Sequence, residues 1–143
     1  MADQSGVRKA SKEFYVALNG MLKGDAGALG RIWSHSTSVT TMHPVGGRDV
    51  GWSNVSETWE QVAKVMSDGQ VALNDQLIRV TEDMAYEVGR EQGFLVLGGQ
   101  RISIDHRVTN VYRREAKGWK IVHHHTDVSA AMQDVLSRLM TKK

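Results

Sequence analysis

The 143-residue chain has no cysteine, one proline, two phenylalanines and no apolar run of membrane-spanning length. Without cysteine, disulfides and thiolate metal centres are excluded, and a reducing, cytoplasmic setting is the expectation. Charge of one sign is also scarce. The 18 Lys and Arg nearly balance 16 Asp and Glu, leaving +2, and the basic residues are scattered instead of forming a stripe, so neither nucleic acid nor a membrane surface is an expected partner. The opening MADQSGVRKASKEF is charged but lacks the apolar centre of a signal peptide. A chain of this length suits a single domain over residues 1–143 with a real core around a cavity.

What is present is clear periodicity that changes midway. Val7, Ala10, Phe14, Ala17, Leu18 and Met21 recur at three and four, the stripe of an amphipathic helix. Asp25 can cap a short second helix carrying Leu29, Ile32 and Trp33. The β-branched stretch from Thr37 to His43 reads as a strand closed by Pro44 and a Gly46–Gly47 turn. A third helix from Ser53 or Asn54 shows Val55, Trp59, Val62, Ala63 and Met66 on one side and ends at Asp68 and Gly69. Beyond Gly69 the period becomes two. Strands are expected over 70–80, 84–97, 100–115 and 119–127, followed by a terminal helix bearing Val128, Ala131, Met132, Val135, Leu136 and Leu139. Helices followed by a meander of long strands argue for an α+β layer, an antiparallel sheet covered on one face.

The stretch GWKIVHHHTD, residues 118–127, carries the chemistry-bearing side chains. If Lys117 and Gly118 form a two-residue hairpin loop, Tyr112 lies opposite His123, Asn110 opposite His125 and Val108 opposite Asp127. Trp119 and Ile121 would share that face, while the other carries Arg107, Arg113, Lys120 and His124. His123, His125 and Asp127 are therefore expected to point inward and His124 outward. The alternative for the two imidazoles is a purely structural role, hydrogen-bonded to Tyr112 or Asn110.

TMHPVGGRDVGWSNVSETW (41–59) and VTNVYRREAKGWKIVHHHTD (108–127) together resemble the paired signatures of the nuclear transport factor 2-like superfamily. More narrowly they are similar to small bacterial SnoaL-like and ketosteroid-isomerase-like proteins and to the association domain of calcium/calmodulin-dependent protein kinase. The resemblance implies a cystatin-like cone, a curved antiparallel sheet packed on N-terminal helices around a pocket, with a C-terminal helix extending past the usual end, and commonly a homodimer. It also implies His43 at the pocket rim, Trp52 helping to close it, Asn110 and Tyr112 on the penultimate strand, and His125 and Asp127 on the last.

Three roles follow as expectations. A small-molecule binder would use Trp33, His43, Trp52, Asn110 and His123 as pocket wall. A proton-transfer enzyme acting on an enolisable substrate would use His125 with Asp127 as base and orienting acid, and Tyr112 as donor to the developing oxyanion. An association module would use the back of the sheet alone. His123 and His125 have the spacing of a ligand pair on a strand and could combine with His43 or Asp127 around zinc or iron, but such a site needs outer-shell acceptors and a donor from another strand, and the resemblance implies no obligatory metal, so no metal or cofactor is expected.

Overall fold

The computed structural model describes residues 3–141. Helices α1 (Ser5–Met21) and α2 (Leu29–Ile32) precede strands β1 (Thr40–His43) and β2 (Gly46–Val50). Helix α3 (Trp52–Ala63) follows, then the long strands β3 (Met66–Thr81), β4 (Met84–Leu97), β5 (Gln100–Glu115) and β6 (Gly118–Thr126), and helix α4 (Ala130–Thr141). The six strands form one sheet in the order β2-β1-β6-β5-β4-β3. Every pair is antiparallel except β1 with β6, which run parallel.

Two departures from the expected elements have local causes. Val65 N–H is held by the Val62 carbonyl at 3.1 Å in a last helical turn, which ends α3 early and releases Met66 to pair with Leu97. Gly46 and Gly47, at φ +96 and +78, turn the chain after Pro44 tightly enough for residues 46–50 to fold back on β1 as a strand of their own.

Curvature comes from irregularities in β3. Its pairing with β4 shifts between Ser67 and Gln70 and between Asn74 and Leu77, where Asp68 (φ 54) and Asp75 (φ 59) occupy the left-handed region. Such bulges bend and twist a strand. Gly93 on β4, at φ +151, lies so close to Gln70 that a Cβ there would collide with its carbonyl oxygen. The bent sheet wraps α1, whose Val7, Phe14, Leu18 and Met21 are buried with Leu95, Ile102, Ile104 and Ile121 of the sheet. Among the described residues no helix is long and apolar enough to cross a membrane.

The last hairpin departs from its expected register. Glu115 pairs with Gly118, so the loop is Ala116–Lys117, and Tyr112 stands opposite Ile121. Moving the loop by one position shifts every pair by two and leaves the faces unchanged; Ile121 is fully buried, as expected. A β-bulge then inserts Val122, because Val111 pairs with His123 while Tyr112 pairs with Ile121. One extra residue reverses the alternation beyond it. His124 and Thr126 consequently point inward, 2% and 4% exposed, and His123, His125 and Asp127 point outward.

Candidate functional site

Inside the cone, cross-strand partners of β4, β5 and β6 place polar side chains in rows on the concave face. Glu91 stands opposite His106, Glu87 opposite Asn110, and Asn110 opposite His124. Each row is hydrogen-bonded. His106 Nε2 lies 2.7 Å from Glu91 Oε1, and Tyr15 from α1 donates to Glu91 Oε2 at 2.9 Å. Glu87 accepts from Asn110 Nδ2 at 2.9 Å, Tyr112 Oη at 2.8 Å and Gln76 Nε2 at 2.7 Å. Asn110 Nδ2 also reaches Tyr15 Oη at 3.1 Å, and Asn110 Oδ1 lies 2.6 Å from His124 Nδ1. The two carboxylates thus anchor one continuous buried network.

Burial alone would raise the Glu91 carboxyl, but the His106 bond, the nearby imidazoles and the Tyr15 hydroxyl outweigh it and hold it below the usual range. Tyr15 and Tyr112 are pushed well above their ordinary values, by burial first and by Glu91 and Glu87 respectively. Burial drives His124 down to about 4 against the pull of Glu91. His43 is lowered by burial too, against the attraction of Asp49.

Next to this network lies a cavity of about 60 Å³, lined chiefly by aliphatic side chains with Glu91, His106, His124, His43 and Trp59 at its polar side. That space suits a few waters or a ligand of a few heavy atoms. Helix α4 closes it with Met132 and Leu136, positioned by Ser129 N–H to the Pro44 carbonyl (2.8 Å) and by Gln133 Nε2 to the Val45 carbonyl (3.3 Å). His106 Nδ1 and Trp59 Nε1 are buried without a hydrogen-bond partner. His43 Nε2 sits 3.5 Å from Asp49 Oδ2, within ion-pair reach but without a hydrogen bond.

The residues expected from sequence divide sharply. His43, Asn110 and Tyr112 are inward, and His43 lines the cavity. Tyr112, however, spends its hydroxyl on Glu87, so it is not a free donor to an oxyanion. His123, His125 and Asp127 are corrected to the outer face by the Val122 bulge: His123 Nδ1 bonds Thr40 Oγ1 at 2.6 Å, and Asp127 is clamped by Arg107 and held at about 2. His125 is exposed, its ring centroid 5.6 Å from that of His123. Trp33 and Trp52 also lie off the cavity. They stack on each other with centroids 6.2 Å apart, and Trp52 stacks on exposed His35 at 4.7 Å. Among the described residues no three His, Cys, Asp or Glu side chains are placed to hold one metal ion.

The sequence signal for His106, Glu87 and Glu91 was present. His106 shares the parity of Asn110 and Tyr112, and a two-residue Gly98–Gly99 loop places Glu91 opposite His106. Tyr15 neighbours Phe14 on the buried face of α1. His124 was hidden by the bulge.

A family model for the SnoaL-like domain matches residues 7–132. The chain belongs to the SnoaL-like family. The sequence of this SnoaL-like protein matches no curated protein. Among solved structures it is similar to a candidate dehydratase of the NTF2-like family from Streptomyces avermitilis, at 26% identity and TM-score 0.75, covering 87% of this chain and 94% of the other. A candidate calcium/calmodulin-dependent protein kinase type II association domain from Thiobacillus denitrificans is also 26% identical, with TM-score 0.66 and coverage of 85% and 94%. A candidate ketosteroid isomerase from Shewanella frigidimarina, 18% identical with TM-score 0.68 over 86% and 95%, shares the fold. The SnoaL-like chain is thus an NTF2-like α+β cone, and its interior departs from the sequence expectation in which imidazoles it presents.

Proposed function

We propose that the chain binds one small, mostly apolar molecule inside the cone, with His106 as the proton acceptor at its polar end. The observation that supports this is one atom, His106 Nδ1, buried and unpartnered in a residue that lines the cavity. Leaving such a nitrogen unmatched costs roughly 1–3 kcal/mol, which a ligand or water in the cavity recovers.

The same ring favours a catalytic form of the reading. A proton taken from the bound molecule at Nδ1 creates an imidazolium whose Nε2–H remains bonded to the Glu91 carboxylate, so the new charge is paired as it forms. The similarity to a candidate dehydratase and a candidate ketosteroid isomerase supports chemistry of this class. Enolate formation has less support, because Tyr112 is committed to Glu87.

The outer sheet face is proposed to meet a second copy of the chain. Leu77, Met84 and Tyr86 are 42%, 43% and 47% exposed, on outward positions beside Arg79, Arg113 and Val111, and one similar structure is a candidate association domain. A cytoplasmic setting, consistent with the absence of cysteine, completes the proposal.

A fragment library titrated into ¹⁵N,¹³C-labelled protein tests the binding site. Hits are expected to shift Trp59, Ile104, His106 and Met132 together. Hits confined to His125 and Arg107 on the outer face would contradict the reading.

A further inference from the structure

Two unmatched atoms of the cavity wall, His106 Nδ1 and Trp59 Nε1, have opposite hydrogen-bonding character, and the network fixes which is which; a third, His43 Nε2, faces Asp49. Glu87 accepts from Asn110 Nδ2, so Asn110 Oδ1 is an acceptor and the His124 Nδ1 facing it carries that ring's proton. His124 is neutral near pH 7, its value lying at about 4, so its Nε2 keeps a lone pair. In the neutral His106 ring, an Nε2–H donated to ionised Glu91 leaves Nδ1 as the atom with a lone pair. Trp59 Nε1–H can only donate, and it has no partner.

These three residues line one cavity, and no lysine or arginine is among the described residues that line it. A carboxylate or enolate, which only accepts, would face two imidazole lone pairs and the negative charge of Glu91. An ammonium, which only donates, leaves the Trp59 N–H unmatched and loses its water shell in an aliphatic cavity. A neutral hydroxyl does both, and it is small enough for a space of about 60 Å³.

We propose that the ligand of this cavity is a compact neutral alcohol, its O–H donated to His106 Nδ1 and its oxygen accepting from Trp59 Nε1–H. The inference rests on the reading of the cavity as the binding site and names the chemical class that site selects.

The experiment compares 2-methyl-1-propanol, its methyl ether and 2-methylpropanoate, each titrated at pH 7.5 into the full chain and followed at the Met132 methyl resonance. The alcohol is expected to bind roughly three- to tenfold more tightly than the ether, the worth of one hydrogen bond, and the carboxylate to leave the resonance unmoved. In His106→Gln, which keeps an N–H donor for Glu91, the advantage of the alcohol over the ether should vanish while ether binding persists. Trp59→Phe, which leaves the His106–Glu91 pair intact, should weaken the alcohol and the ether alike, because both oxygens accept from the indole N–H. Equal binding of alcohol and ether to the wild type, or tighter binding of the carboxylate, would overturn the ligand class and leave the cavity as a site. Failure of all three to move any cavity resonance would overturn both.

Discussion

At Glu91 burial and hydrogen bonding pull in opposite directions, and two donors with a nearby imidazole decide for the ionised form. Replacing it by glutamine keeps the shape but weakens both charge-assisted bonds. Glu91→Gln is therefore expected to destabilise the fold by about 1.5–3 kcal/mol in urea unfolding, and a change within measurement error would mean that the carboxylate does not anchor Tyr15 and His106. His124 makes a pH prediction. Its folded value of about 4 lies below the ordinary 6.5, and His43 and His123 are lowered in the same direction. Between these limits the unfolded chain binds more protons than the fold, so stability is full above about pH 6.5 and falls as the pH drops towards 4. His124 alone contributes on the order of 3 kcal/mol to that loss, and His124→Gln should flatten the urea midpoint between pH 7 and 5. An unchanged slope would place the ring in contact with water.

The elements were legible in the sequence where periodicity was uninterrupted. The stripe of α1 and the alternation along β4 and β5 place Phe14, Asn110 and Tyr112 inside, because a strict period leaves an apolar set only one face to occupy. In β6 the same rule served Ile121 and failed from His123 onward. A bulge is a tertiary compromise between neighbouring strands, here β5 on one side and parallel β1 on the other, and Val122 has no composition that announces it. Two apolar residues, Ile121 and Val122, precede three histidines of identical type, so patterning could not tell which imidazole turned inward. Since the chain lacks cysteine, the register can be read by single substitution. The thiol of His125→Cys should react quickly with an aromatic disulfide reagent and that of His124→Cys at least about a hundredfold more slowly, because it reacts only on opening; equal rates would contradict the bulge.

For the molecule as a whole, the two faces of one sheet carry different side chains. The concave side holds carboxylates, imidazoles and a cavity closed by α4; the convex side carries the exposed Leu77, Met84 and Tyr86. If the convex side joins two copies, Tyr86→Lys with Leu77→Lys should convert a dimer to a monomer in light scattering without moving the Met132 resonance. A wild-type monomer, or a charged variant that stays dimeric, would count against that interface. The cavity itself depends on the direction of every hydrogen bond behind it, and long-range ¹H–¹⁵N correlation of the imidazole rings at pH 7.5 reads those directions without any ligand. His106 is expected with its proton on Nε2 and His124 with its proton on Nδ1; a proton on Nδ1 of His106, or a His124 ring in fast exchange between tautomers, would contradict the account.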